Sequence, residues 1–236
     1  MMFNIKKPSN IMALILLLFS FYVLFIDSVL VYINASSLTD LLDLDNLNFI
    51  VFVTIFVLAL TPFVWYIFVC KNSFKETLGK LGLHAQDIDV AFVWGLIASI
   101  GMLLIAILFS FAFVILPGNS DDSLQSVNEI AASLSLFSVL IVFIQAIAAE
   151  IYFRGFILSR IKFFVGREAA VILSSVLYGV IYLPFNEVYP AVLPIFLGLI
   201  LGYVVIRTKS LYSAIFAQIF FYLIVYALNY FAQLLV

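Results

Sequence analysis

The stretch LNFIVFVTIFVLALTPFVWYIFVC, residues 47–70, contains no charged residue and is apolar on every face of a helix. The core of a lipid bilayer is about 30 Å thick, and a helix needs roughly 20 apolar residues to cross it. A membrane β-strand would instead be short and would alternate between apolar and polar residues. The stretch therefore predicts a membrane-spanning α-helix.

The rest of the chain repeats this pattern. Of its 236 residues 66% are hydrophobic and 10% are charged, which is outside the range of soluble domains. Similar apolar runs lie at about residues 11–33, 47–70, 89–117, 131–156, 169–185, 191–206 and 211–236. We therefore predict an all-α, polytopic membrane helical bundle of about seven transmembrane helices. Because no repeat or long linker divides the chain, we expect a single membrane domain over residues 1–236, with N-terminal helices in 1–130.

Lysine and arginine residues indicate the orientation of this bundle. They lie before the first run and after the second, fourth and sixth runs, at Lys6, Lys7, Lys71, Lys75, Lys80, Arg154, Arg160, Lys162, Arg167, Arg207 and Lys209. The other loops are acidic, with Asp40, Asp43, Asp45, Asp121, Asp122, Glu129 and Glu187. Because short basic loops stay in the cytosol, we expect a cytoplasmic N-terminus and a C-terminus outside. Neither side carries a basic patch of the size that binds nucleic acid, so we expect no nucleic-acid partner.

The segment 71–89, KNSFKETLGKLGLHAQDID, mixes charged residues with apolar spacing. This pattern is compatible with an amphipathic helix on the inner membrane surface before the third crossing. A plain cytosolic loop fits the same residues, and both interpretations stay open. The single cysteine, Cys70, cannot form an internal disulfide and is most simply an apolar filler near a helix end.

Ionisable residues inside a membrane are costly and are candidates for functional sites. Apart from Asp89 at the very start of the third run, the carboxylates inside the predicted runs are Asp27 and Glu150. Asp27 lies near the outer interface, where water or a neighbouring helix can satisfy it, so a structural role is favoured. Glu150 lies one helical turn before Arg154, which places both side chains on one face of a helix. An ion pair between them offsets part of the cost of burial and, by itself, is typical of a structural clamp slightly more often than of a catalytic centre.

Three motifs around this pair resemble one family. The segment AEIYFRGFILSRI, residues 149–161, resembles the E-E-x-x-x-R signature of the CPBP family of intramembrane glutamic proteases, the group of CAAX prenyl proteases and bacteriocin-processing (Abi) proteins. Residues 171–186, VILSSVLYGVIYLPFN, resemble its F-x-x-x-H motif, and residues 195–224 resemble its third region. The three motifs occur in the right order, and the resemblance covers about residues 131–230. It implies a CPBP-like core in the second half of the chain.

The resemblance also implies a role for each matched position. The glutamate that activates water in the family corresponds to Ala149, whereas the second glutamate and the arginine are retained as Glu150 and Arg154. The aromatic residue of the second motif corresponds to Tyr178. The remaining catalytic positions, two histidines and an Asn or Asp, correspond to Tyr182, Gln218 and Tyr222.

These substitutions remove the groups that peptide hydrolysis requires. Hydrolysis needs a base within reach of a water molecule and a donor directed at the oxyanion. Alanine supplies neither, and a tyrosine with a pKa near 10 donates a hydrogen bond but is no base at neutral pH. The only histidine is His84, outside the predicted spans, so we expect no histidine-based metal site and no cofactor.

Two functions follow from these residues. We favour a catalytically inactive CPBP-like protein that acts as a binding partner, a regulator or a bacteriocin-immunity factor. The alternative is an active intramembrane endopeptidase that uses Glu150 as its base, with Tyr182 and Gln218 as donors. A transporter or lipid-handling protein is disfavoured, because it would need more polar residues across several helices than the chain contains.

The sequence also supports expectations about helix packing, the tyrosines, the partners and the location of the protein. The spacing of Gly198 and Gly202 favours close helix packing. The tyrosines at 182, 222, 226 and 230 either fill space or line a ligand cavity. We expect the lipid bilayer and another membrane or cell-envelope protein as partners, with the oligomeric state open. The resemblance implies a bacterial plasma membrane, where inactive relatives are expected in cell-envelope regulation, sensor-kinase control or bacteriocin immunity.

Overall fold

The computed structural model describes residues 8–33, 47–84, 86–115, 136–182 and 188–234. These residues form eight helices and contain no strand. The helices are α1 (Pro8–Phe21, the π-helical Tyr22–Ile26, then Asp27–Tyr32), α2 (Leu47–Val64 with the π-helical Trp65–Val69), α3 (Phe74–Lys80), α4 (Ile88–Ile115), α5 (Leu136–Glu150, the π-helical Ile151–Leu158, then Ser159–Val165), α6 (Arg167–Val180), α7 (Val188–Thr208) and α8 (Tyr212–Leu234). The all-α prediction is confirmed, as expected for a chain whose backbone must satisfy its own hydrogen bonds in lipid.

Three helices of the described part are long and apolar enough to cross a membrane, over Ile11–Leu30, Ile88–Phe111 and Leu140–Val165. A fourth crossing is possible where α2 and α3 meet at a bend of 119°. The apolar parts of α7 and α8 are shorter, and α6, with 14 residues, is about 21 Å long. The chain is therefore a multi-pass helical membrane protein, and the number of seven crossings stays a prediction.

The predicted end of the fourth run is wrong. We expected the run to end at residue 156, with Arg160 and Lys162 in the loop that follows, but α5 continues through Val165. After Glu150, burial against other helices is confined to residues 151–158, whereas Ser159–Val165 buries no side chain fully and continues as a largely exposed helix until Gly166, whose φ of +84° ends it. The acidic loop residues used for the orientation lie outside the described residues, so the orientation also stays a prediction.

Segment 71–89 forms a short helix at its start rather than a plain loop. Ser73 caps α3, because its side chain accepts a hydrogen bond from the backbone N–H of Glu76 while the Glu76 carboxylate accepts one from the N–H of Ser73. This capping box fixes the first turn of α3. The chain then turns back, and the backbone N–H of Leu211 in the α7–α8 turn donates to the carbonyl of Gly82 at 2.9 Å.

Two groups of buried side chains form the core. The first joins α1, α2, α5 and α6 and includes Leu58, Tyr152, Phe153 and Tyr178. The second joins α4, α7 and α8 and is built on small and aliphatic residues such as Ala98, Met102, Leu201 and Ala217. The π-helical part of α5 packs against α2, α6 and α7, so it lies where the helices of the two groups meet.

Helices α4 and α8 approach most closely at Gly95. A Cβ added there would lie 2.6 Å from the Cβ of Phe216 and 3.0 Å from the carbonyl oxygen of Ser213. Any side chain at residue 95 would therefore push the two helices apart. Gly101, on the same helix, is less crowded, because an added Cβ would only touch Ile200 Cδ1 at 3.6 Å.

We predict that Gly95→Ala lowers the free energy of unfolding by about 1–3 kcal/mol, the usual cost of overpacking. The matched control is Gly101→Ala, which adds the same methyl group without a clash and improves helix propensity. Chemical unfolding of the purified proteins in detergent measures both. Equal stability of the two variants would contradict the close packing of α4 on α8.

Candidate functional site

The candidate site is built around the π-helical segment Ile151–Leu158 of α5. The residues that it buries are Tyr152, Phe153, Arg154, Gly155, Phe156 and Leu158. A π-helical segment inserted in an α-helix is uncommon and often occurs at a functional site. The π-helical segment buries side chains on several sides of α5. It contacts α2, α6 and α7.

Glu150 and Arg154 form a buried ion pair at the start of this segment. Arg154 Nη1 donates to Glu150 Oε1 at 2.8 Å, and neither side chain is exposed. The pairing expected from the sequence spacing is therefore present in the structure. Glu150 Oε2 and the Nε and Nη2 atoms of Arg154 have no hydrogen-bond partner among the described residues. The pair thus retains unused acceptor and donor positions.

The guanidinium of Arg154 also packs against an aromatic ring on α6 and lies close to a glycine on α7. Its central carbon lies 4.4 Å from the ring centroid of Tyr178 on α6, which is within the range of a cation–π interaction. On the other side α7 comes close at Gly198, where an added Cβ would lie 3.0 Å from Arg154 Nη2. Three helices therefore define the position of this one side chain. Gly202 lies one turn further along α7, and an added Cβ there would contact Val171 at 3.0 Å.

Hydrogen bonds connect three of the motif positions. Gln218 Nε2 on α8 donates to the hydroxyl of Tyr178 at 3.0 Å, and the hydroxyls of Tyr178 and Tyr182 are 3.2 Å apart. Gln218 Oε1 has no partner among the described residues. The positions that resemble the second and third motifs are therefore brought together, although they lie 40 residues apart in sequence.

These side chains border a partly open cavity of about 320 Å³, which we call the tyrosine cavity. It is lined by Met102, Tyr178, Tyr182, Leu193, Pro194, Leu197, Gln218, Phe221 and Tyr222. Its polar groups are three phenol hydroxyls and one amide, and its other walls are apolar. The described residues of this lining can donate and accept hydrogen bonds, and none of them is a carboxylate or an imidazole.

The remaining candidates lie around this centre. Ala149 is buried in the first core group, which also contains Tyr178. The ring of Phe143 on α5 contacts the rings of Tyr222 and Tyr226, whereas Tyr230 is exposed at the end of α8. Asp27 is half-buried in α1, away from the motif positions in sequence.

The structure also places two residues that lie outside the motifs, His84 and Cys70. His84 is half-buried after α3, and Cys70 accepts a hydrogen bond from Arg160 Nη2 at 3.3 Å. Among the residues that the structure describes, no three His, Cys, Asp or Glu side chains are grouped so that they could hold a metal ion.

Sequence analysis missed two features of the site. The π-helical geometry after Glu150 has no signal in the apolar pattern, because the run looks like an ordinary helix. The stacking of Tyr178 on Arg154 was missed as well, although an aromatic residue at a motif position next to a buried cation was a usable signal.

A comparison with known families matches the part of the chain that contains this site. The family model described as Rce1-like, type II CAAX prenyl endopeptidase Rce1-like, matches residues 131–224. Over this segment the chain is Rce1-like in sequence. The predicted resemblance to the CPBP family over about residues 131–230 is confirmed. The Rce1-like segment contains all the motif positions named above, together with Gly198 and Gly202. No curated protein and no solved structure matches the chain.

We predict that Glu150→Ala and Arg154→Ala each lower the free energy of unfolding by about 3–5 kcal/mol, because each leaves an uncompensated buried charge. The control is Arg207→Ala, which removes an exposed charge and should change stability by less than about 0.5 kcal/mol. Denaturant titration of the three variants in detergent gives the values. If the buried-pair variants unfold like the Arg207 control, the ion pair does not stabilise the fold.

Proposed function

We propose that this protein is a catalytically inactive CPBP-like membrane protein that binds and regulates another membrane or cell-envelope protein. The observation that carries the proposal is the hydrogen-bonded group formed by Tyr178, Tyr182 and Gln218 beside Tyr222. These residues occupy one cavity in a Rce1-like segment, and none of them accepts a proton at neutral pH. The cavity therefore supports recognition better than hydrolysis.

The general base and the oxyanion donors supply a large part of the rate enhancement of a hydrolase. A positioned general base typically contributes about 10²–10⁴-fold, and one oxyanion donor about 10²–10³-fold. Ala149 provides no base at the position that resembles the water-activating glutamate. The hydroxyl of Tyr182 and the amide N–H of Gln218 are already hydrogen-bonded to Tyr178, and Gln218 Oε1, which has no partner among the described residues, accepts hydrogen bonds but is no base.

One observation favours the alternative, an active endopeptidase that uses Glu150. The Oε2 atom of Glu150 has no partner among the described residues and has the chemistry to accept a proton from water. Against this, Oε1 is bound to Arg154, the side chain is fully buried, and Glu150 is not among the residues that line the tyrosine cavity. A base that does not reach the cavity cannot act on a peptide bound there.

The lining of the cavity indicates what kind of partner it suits. Leu193, Pro194, Leu197 and Phe221 offer apolar contacts at membrane depth, and Gln218 Oε1 is an unused acceptor. An apolar transmembrane segment that carries one hydrogen-bond donor would use both features. We propose that the partner presents such a segment, in a bacterial plasma membrane and in a role such as cell-envelope regulation, sensor-kinase control or bacteriocin immunity.

We predict that the purified protein in lipid does not cleave a reporter peptide ending in a prenylated CAAX sequence, the substrate class named in the family description. It should not cleave an unmodified transmembrane peptide either. Product analysis by mass spectrometry is the readout, and Glu150→Gln is the matched variant. Cleavage by the natural sequence that disappears in Glu150→Gln would overturn the inactive assignment and establish the alternative.

The binding role is tested separately by site-specific photo-crosslinking in native membranes. A photoreactive phenylalanine replaces Tyr222, which lines the cavity, or its neighbour Leu223, which is 49% exposed and does not. We expect one discrete crosslinked protein from position 222 and none from position 223. The same products from both positions, or no product from position 222, would contradict a partner in the tyrosine cavity.

A further inference from the structure

A second cavity, of about 310 Å³, lies between α3, α5, α6 and α7. We call it the basic pocket, because its lining includes Lys80, Arg154, Lys162, Arg167 and Lys209. None of the described residues that line it is acidic. The basic side chains come from three helices, α3, α5 and α6, and from the α7–α8 turn, so the fold brings together charges which the sequence presents as separate loop clusters.

Like charges gathered around one cavity repel one another unless an anion or solvent compensates them. Glu76, Glu150 and Glu168 lie near the lining residues in sequence but do not belong to the lining, and Lys80 Nζ donates to a neutral acceptor, Asn72 Oδ1, at 2.9 Å. Arg167 is also the first residue of α6, where the helix dipole disfavours a cation and favours an anion. Among the described residues the four exposed cations of the lining form no ion pair, whereas the fifth cation, Arg154, is paired with Glu150.

The innermost residue of the pocket has unused donors. Arg154 is 1% exposed, and only its Nη1 is bound to Glu150, whereas Nε and Nη2 have no hydrogen-bond partner among the described residues. A buried donor without a partner is unfavourable, and more so when it is charged. Guanidinium groups bind phosphate and carboxylate oxygens through pairs of N–H donors. The pocket thus combines a buried arginine that has unpartnered N–H donors with four exposed cations. Together these groups can bind a tetrahedral oxyanion.

The walls of the pocket are fixed before any ligand arrives. Gly82 has a φ of +81°, a conformation that favours glycine, and its carbonyl accepts from the N–H of Leu211 at 2.9 Å. In the α7–α8 turn, which contains Leu211, Thr208 Oγ1 and Ser213 Oγ are 2.8 Å apart, and Ser213 Oγ donates to the Ser210 carbonyl at 2.7 Å. These bonds hold the loop after α3 against the α7–α8 turn that carries Lys209.

The surroundings of the pocket indicate where such an anion is found. Phe163 and Phe164 directly follow Lys162 and are 78% and 88% exposed. Exposed aromatic residues next to cations are typical of a membrane interface, where phosphate headgroups lie. A free phosphate group of a soluble ligand would meet the same donors.

We propose that the basic pocket is a binding site for the phosphate group of an anionic ligand, with Arg154 as its innermost donor. The site is separate from the tyrosine cavity, and the proposal does not depend on whether the protein is an active protease.

The test uses the full-length protein in phosphatidylcholine nanodiscs. Binding of radiolabelled inorganic phosphate is measured against chloride at equal ionic strength, and retention of phosphatidylglycerol added to the discs is measured by native mass spectrometry. The pocket variant is Lys162→Gln with Lys209→Gln. The control is Lys75→Gln with Arg207→Gln, which removes the same charge from exposed positions outside the lining. All four side chains are exposed, so both variants should remain folded, and their thermal midpoints verify this.

We expect saturable binding that weakens at least about tenfold in the pocket variant and less than about twofold in the control, because charge-assisted contacts are lost only in the former. Binding of both probes would show that the phosphate group alone is recognised. Binding of phosphatidylglycerol only would assign a lipid headgroup as the ligand, and binding of inorganic phosphate only would assign a soluble ligand. Absence of saturable binding of either probe, or equal weakening in the control variant, would overturn the proposal.

Discussion

The ion pair between Glu150 and Arg154 is the interaction on which the arrangement of the other helices depends. Two charges removed from water at membrane depth are tolerated only when their geometry is good and further contacts satisfy them. The 2.8 Å bond provides part of this, and the ring of Tyr178 on α6 provides more. The absence of a side chain at Gly198 lets α7 approach the same guanidinium. Helices α5, α6 and α7 are therefore positioned with respect to one buried cation.

Arg154 also connects two cavities with different chemistry. Its side chain contributes to the basic pocket, and its ring partner Tyr178 belongs to the wall of the tyrosine cavity. One cavity is lined by cations and the other by apolar and phenolic side chains. A ligand that contacts Arg154 acts on the same guanidinium that contacts Glu150 and Tyr178. This arrangement gives the two proposed binding sites a physical connection through one side chain.

The sequence predicted the parts of this account that depend on composition and local spacing. The all-helical membrane fold follows from long apolar runs, and the contact between Glu150 and Arg154 follows from their spacing of one turn. The Rce1-like segment was recognised from three motifs in order. The parts that failed depend on long-range packing. The π-helical segment of α5 is buried against other helices, and no local pattern encodes that contact.

The basic pocket illustrates the same limit. Lys80, Lys162, Arg167 and Lys209 were assigned to the inner side of the membrane, but only the fold places them around one cavity with Arg154. Likewise, the hydrogen bond from Gln218 to Tyr178 joins residues on different helices, and a motif match cannot show whether such residues touch.

A double-mutant cycle on the ion pair tests the central claim most directly. The free energies of unfolding of the natural protein, Glu150→Gln, Arg154→Met and the double variant are measured in one lipid or detergent system. If the pair is the structural frame of the fold, the double variant is more stable than the sum of the single effects allows, with a coupling energy of about 2 kcal/mol or more. Single effects that add within about 0.5 kcal/mol would contradict the account, since the two side chains would then contribute independently.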